Sequence, residues 1–163
     1  MKAPPKWAQD LLINAILYLQ SKGYKAELPE LNWRHGKHSS GRCNKTEGKI
    51  TVTAGKLQVS KSRVNQKLIL LHEIAHIATD TEVKYLDIKR AKKRGWHSCN
   101  KSRQIISKRM YHTDSFWNTA WLLYRWAKLP IKFCLSREQD YRKGAAVAYR
   151  KNKTEWRHND GKS

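Results

Sequence analysis

The sequence predicts an α+β domain: an N-terminal helix, a small mostly antiparallel sheet, then a largely apolar central helix and further helices. Three observations carry this. An amphipathic stripe occupies the first twenty residues, short β-rich runs bounded by Gly, Ser and Asn follow, and an apolar run at 68–80 is interrupted by three ionisable residues. With 163 residues the chain is long enough for one core without disulfides or a structural metal.

The first helix is expected over 6–22. Apolar residues recur at 8, 11, 12, 15, 16 and 19, the Pro4–Pro5 pair stands just ahead, and Gly23 closes it. "ELNWR" and "KITVTA" read as strands, the second alternating Ile50, Val52 and Ala54 against Thr51 and Thr53. The intervening "HGKHSSGRCNKTEG" fits a turn and another short strand. A second helix is expected from about Ser60 to Ala78, with Ser60 or Ser62 as N-cap. Residues 80–111 carry no clear periodicity. A third helix should start at Thr113 or Asp114 and run toward Pro130, with aromatics on more than one face and therefore well buried. A fourth is expected over 136–151. Residues 1–150 then form a single domain, and 151–163 a basic, disordered tail.

The run "LILLHEIAHIATD" places His72 and His76 one helical turn apart, on the same face, with Glu73 beside the first. Two imidazoles at that spacing can share one ion, and a neighbouring carboxylate can act as general base. The flanking residues are uncharged, so the three polar side chains sit in a dry environment, where a metal repays the cost of burying them. This is the pattern of a zinc hydrolase with one catalytic Zn2+. An open catalytic site needs a third ligand. The extension that would require Gly at 79 and His at 82 is absent, because the chain has Thr79 and Glu82. His112, placed just before an aromatic-rich helix, is the favoured third ligand; Asp114, His97, Glu82 and Asp87 remain alternatives. Tyr111, beside His112, is a candidate oxyanion stabiliser.

"LILLHEIAHIA" followed by "HTDSFW" at 112–117 resembles the SprT-like zinc metallopeptidases, which include the Spartan-type DNA–protein crosslink proteases. His112 and Phe116 match that family's second motif, with Thr113 in place of its glycine. The resemblance spans roughly residues 6–128. It implies a minimal zincin-like metallopeptidase domain, with His112 as third ligand and protein substrates at or near DNA. The cysteine zinc ribbon of many members has no counterpart here. A weaker likeness, through Glu82, is to the phage- and mobile-element-associated peptidases that cleave repressors.

Lys and Arg number 34 against 13 Asp and Glu, a net charge of +21, and such a surface suits a polyanion. Residues 84–109 hold ten of these cations and one acid, Asp87. Lys89, Arg90, Lys92, Lys93, Arg94, Lys101, Arg103, Lys108 and Arg109 are the candidate nucleic-acid contacts, with DNA the expected partner and affinity falling steeply with salt. Trp96 is a candidate for base stacking. Cys43, Cys99 and Cys134 form no disulfide framework, and the N-terminus lacks the apolar core of a signal peptide. No apolar run approaches the roughly 20 residues needed to span a bilayer. An intracellular protein of cytoplasm, nucleoid or nucleus is expected, with a virus or phage origin compatible. Two other functions fit the sequence: a non-enzymatic nucleic-acid-binding protein with a structural zinc, Asp114 or Cys99 being the fourth ligand, and a regulatory peptidase specific for one repressor.

Overall fold

A computed structural model describes residues 3–57, 62–93 and 105–138. Helix α1 spans Lys6–Ser21 and buries Ala8, Leu12, Ala15, Ile16 and Leu19, the stripe expected from its spacing. Gly23 takes a positive φ of 84°, and the Tyr24 amide reaches back to the Leu19 carbonyl at 3.0 Å, so the helix ends in a glycine-dependent turn.

Three strands follow: β1 (Glu30–Gly36), β2 (Ser40–Asn44) and β3 (Lys49–Gly55). Their order is β1-β3-β2, with β3 parallel to β1 and antiparallel to β2. The sheet is therefore mixed, with one parallel and one antiparallel pairing, where a mostly antiparallel one was expected. The reason lies in residues 37–39. This short link steps across the end of β3, held there by the Gly55 amide donating to Ser39 Oγ at 2.9 Å. The chain then returns along the far side as the β2–β3 hairpin, which leaves β1 and β3 pointing the same way.

Helix α2, Arg63–Ala78, starts at Ser62, whose hydroxyl accepts from the Asn65 amide. It packs against α1, β2, β3 and the later helix α4 (Asp114–Trp126) and so forms the centre of the molecule. Leu70, Leu71, Ile74 and Ala75 are fully buried there. The stretch without clear periodicity contains β4 (Glu82–Asp87), the short helix α3 (Ile88–Lys93) and β5 (Ile105–Met110). The two strands form a separate antiparallel ribbon in which Glu82 pairs with Met110 and Asp87 with Ile105.

Thr113 caps α4, its hydroxyl accepting from the Phe116 amide at 3.2 Å. Phe116, Trp117, Trp121 and Tyr124 are buried, in keeping with aromatics on several faces of a central helix. The helix stops at Trp126, short of Pro130, because Lys128 adopts a positive φ of 53° and the Leu129 amide closes back on the Tyr124 carbonyl. Helix α5, Ile131–Arg137, begins after Pro130. Residues 136 and 137 therefore end a helix that starts earlier, rather than open a new one. The remainder of the expected fourth helix and the basic tail lie outside the described residues.

Candidate metal centre

His72 and His76 project from α2 at the spacing that puts both on one face. His112 comes from the turn between β5 and α4, one residue ahead of the cap. One nitrogen from each of the three lies within 4.8 Å of the others, close enough to bind a single metal ion. The Nε2 atoms of His72 and His112 are 3.1 Å apart. Two nitrogens on one tetrahedral ion, each at about 2.0–2.1 Å, stand roughly 3.3 Å apart, so this pair is spaced as two ligands of one metal ion would be.

The rings are held by packing. The buried Phe116 ring contacts all three imidazoles, with centroids 4.9 Å from His72, 4.2 Å from His76 and 4.7 Å from His112. Trp117 stacks on His112 at 5.5 Å. The aromatic start of α4 thus forms a floor beneath the histidines. Burial, with the charges of neighbouring imidazoles, lowers the pKa of His76 to about 3 and of His112 to about 4, so both are neutral donors near pH 7.

His72 behaves differently. Burial alone would lower its pKa, but the hydrogen bond and charge of Glu138, with the charge of Glu73, reverse the net shift upward. Its Nδ1 lies 3.0 Å from Glu138 Oε1, and the Tyr124 hydroxyl donates to the same oxygen at 2.6 Å. Burial raises the Glu138 carboxyl, yet the His72 bond and charge, the Tyr124 hydroxyl and His112 bring it below its ordinary value.

Glu73 points toward β2. Burial pushes its carboxyl up to about 7; the positive His72 pulls it down, Glu138 pushes it up, and the Cys43 backbone N–H steadies the charged form. A Cβ on Gly41 would stand 2.6 Å from Glu73 Cγ and 2.8 Å from Cδ, so only glycine lets the strand pass this close. His72, Glu73 and His76 line a cleft of about 680 Å³ together with Gly41–Thr46, Asp80, Thr81, Tyr111 and His112. Lys45 ties the hairpin to the end of α2, bonding Thr79 O at 3.1 Å and Asp80 Oδ1 at 2.7 Å.

Among the expected ligands, His72, His76 and His112 converge. Asp114, the first residue of α4, and Glu82 and Asp87, at the two ends of β4, are outside the cluster, and His97 and Cys99 lie outside the described residues. Lys89, Arg90, Lys92 and Lys93 are exposed on or beside α3, and Asp87 caps that helix by accepting from the Arg90 amide at 2.8 Å. Lys108 and Arg109 are placed only as backbone positions of β5; Arg94, Trp96, Lys101 and Arg103 lie outside the described residues. Among the described residues no helix is long and apolar enough to cross a membrane.

Sequence reasoning missed Glu138, Tyr124 and Gly41. No spacing rule links Glu138 to a histidine 66 positions away, and Gly41 read as one more turn glycine. Lys49–Gly55 forms the central strand β3, and the sheet edge beside the cleft is β2. Compared with protein-family models, curated proteins and solved structures, the chain gives no match.

Proposed function

We propose that the chain is a zinc-dependent endopeptidase of SprT-like type. One observation carries this reading: three neutral-capable imidazoles meet at a point on the wall of an open cleft, with the Glu73 carboxylate in the same cleft beside a sheet edge. Three nitrogen donors, with no fourth ligand group among the described residues, suit a catalytic site that keeps a position for water or substrate. A closed structural site would need four.

His72, His76 and His112 would hold the ion. When bound, it supplies a Lewis acid and lowers the pKa of a water from 15.7 toward about 7. Glu73 takes the proton of the attacking water and delivers it to the departing amine nitrogen. The Cys43 N–H and the absence of a side chain at Gly41 fix where that carboxylate stands. Strand β2, at the sheet edge, offers its outer backbone to an extended peptide, which would bind as an added strand across the cleft. Tyr111, 53% exposed on the cleft wall, would be the donor to a developing oxyanion.

The high positive charge supports recruitment to nucleic acid, DNA in the first instance, through the exposed lysines and arginine at 89–93. Residues 89–93 lie at the end of the β4–β5 ribbon opposite to its Glu82–Met110 base, which adjoins the cleft residues Thr81 and Tyr111. The protein substrate would then be one bound at or near that nucleic acid. The test of the catalytic reading is Glu73→Gln, measured against an unfolded protein substrate with zinc supplied. Cleavage falls by at least a hundredfold, by the usual worth of a general base of about 10²–10⁴, while zinc binding is retained. Undiminished cleavage would remove Glu73 from the reaction.

A further inference from the structure

Two residues at the end of α5 grip one face of α2. Arg137 Nε donates to Asn65 Oδ1 at 2.9 Å, and Glu138 Oε1 meets His72 Nδ1 at 3.0 Å. Asn65 and His72 are seven residues apart, two turns along the same face. Asn65 and Glu138 are both buried, Glu138 to 4% exposure, so neither contact is a loose surface pairing. The bond from Tyr124 to Glu138 Oε1 then fixes the carboxylate from a third element.

We infer that Glu138 is a positioning residue for the metal centre, holding His72 in the tautomer that carries its proton on Nδ1 and keeps Nε2 unprotonated, as a ligand nitrogen must be. The His72 ring has two nitrogens, and this geometry assigns them. Nδ1 faces the carboxylate, whereas Nε2 faces His112 Nε2 at 3.1 Å. A neutral imidazole has one N–H to give, and a buried carboxylate that accepts it settles where that proton sits. The negative charge also makes the opposite nitrogen a better donor, as a carboxylate behind a ligating histidine does. Tyr124 keeps Oε1 aligned, so the support runs Tyr124, Glu138, His72, ion. A competent metal centre therefore depends on a segment after α4 that lies downstream of all three ligands in the chain.

This inference rests on the three histidines being metal ligands, and the experiment separates the two. The full-length chain is titrated with zinc against a chromophoric chelator as wild type, Glu138→Ala, Glu138→Gln, Tyr124→Phe and Ser62→Ala. Outer carboxylates of this kind are worth about 10–100-fold in metal affinity, so Glu138→Ala weakens binding by that factor. Glu138→Gln, which keeps an acceptor oxygen, recovers most of the loss, and Tyr124→Phe shows a smaller one. Ser62→Ala removes a helix cap far from the site, destabilises the fold, and leaves affinity unchanged. A second measurement needs no variant: in long-range ¹H–¹⁵N spectra of the zinc-loaded protein, His72 shows a protonated Nδ1. A wild type that binds no zinc would overturn the metal centre itself. Tight zinc binding with Glu138→Ala equal to wild type, or with Nδ1 unprotonated, would overturn the role of Glu138 alone.

Discussion

Gly41 offers the sharpest test of how the cleft is built. A methyl group there would stand 2.6 Å from Glu73 Cγ and 2.8 Å from Cδ, and nearer still to Oε1. Ordinary carbon–carbon contact begins at about 3.5 Å, so roughly 0.9 Å of clearance is missing. Glu73 sits on the central helix and is 7% exposed, which leaves it little room to withdraw. Within the sheet, strand β2 is hydrogen-bonded on one side only, to β3, so it yields before the central helix and carries the Cys43 N–H away from the carboxylate. Either movement shifts the base by about 1 Å, an error that costs on the order of 10²-fold in rate, or about 2.7 kcal/mol of barrier. Overpacking of this kind costs about 1–3 kcal/mol of stability. Gly41→Ala should therefore retain zinc and remain folded by circular dichroism, while kcat/KM on a denatured protein substrate falls about a hundredfold. Wild-type kcat/KM in a folded, zinc-loaded Gly41→Ala protein would refute the argument that Glu73 works in the place where β2 confines it.

Two further outcomes follow from the same structure. Phe116 underlies all three imidazoles, so Phe116→Ala should cost about 3–5 kcal/mol in urea unfolding, as buried aromatics do, and weaken zinc binding with it; a stability loss with zinc affinity intact would mean that the floor does not position the ligands. Chelator-treated protein should lose stability as pH falls below about 6.5, and more steeply below about 4.5. From 6.5 downward the unfolded chain carries charged His76 and His112, which the folded state keeps neutral with values near 3 and 4; below 4.5 it also protonates Glu138, which the folded state holds below its ordinary value of 4.5. The unfolded state thus binds more protons, and stability falls as pH falls. Between pH 6.5 and 4.5 the raised Glu73 carboxyl acts in the opposite sense, because there the folded state holds the extra proton. Urea midpoints measured across pH 3.5–7 check the pattern, and a midpoint that does not drop below pH 4.5 would contradict it.

Local signals in the sequence were strong where periodicity and caps act within a few residues. The stripe of α1, the alternation in Ile50–Ala54, the Ser62 and Thr113 caps and the His72–His76 spacing all read through to the structure. His112 was legible because a ligand just ahead of a packed aromatic helix is rigidly held, and Phe116 proves to be what holds it. What escaped depends on distance along the chain. The parallel pairing of β1 with β3 follows from a three-residue crossing that composition does not encode. The β4–β5 ribbon carries mixed charges and no clean alternation, since it lies apart from the three-stranded sheet. Glu138 looked like one acid in a basic helix. Only the turn at Lys128, with α5 after it, returns that residue to His72.

The proposed chemistry requires one ion held by two histidines of α2 and one residue delivered ahead of α4. Elemental analysis of the purified full-length protein beside His112→Ala, after dialysis against trace zinc, measures this directly. One zinc per chain is expected in the parent and strongly reduced zinc in the variant, with the fold of both intact by circular dichroism. Equal zinc in the two proteins would mean that His112 is not a ligand and that the proposed site is wrong.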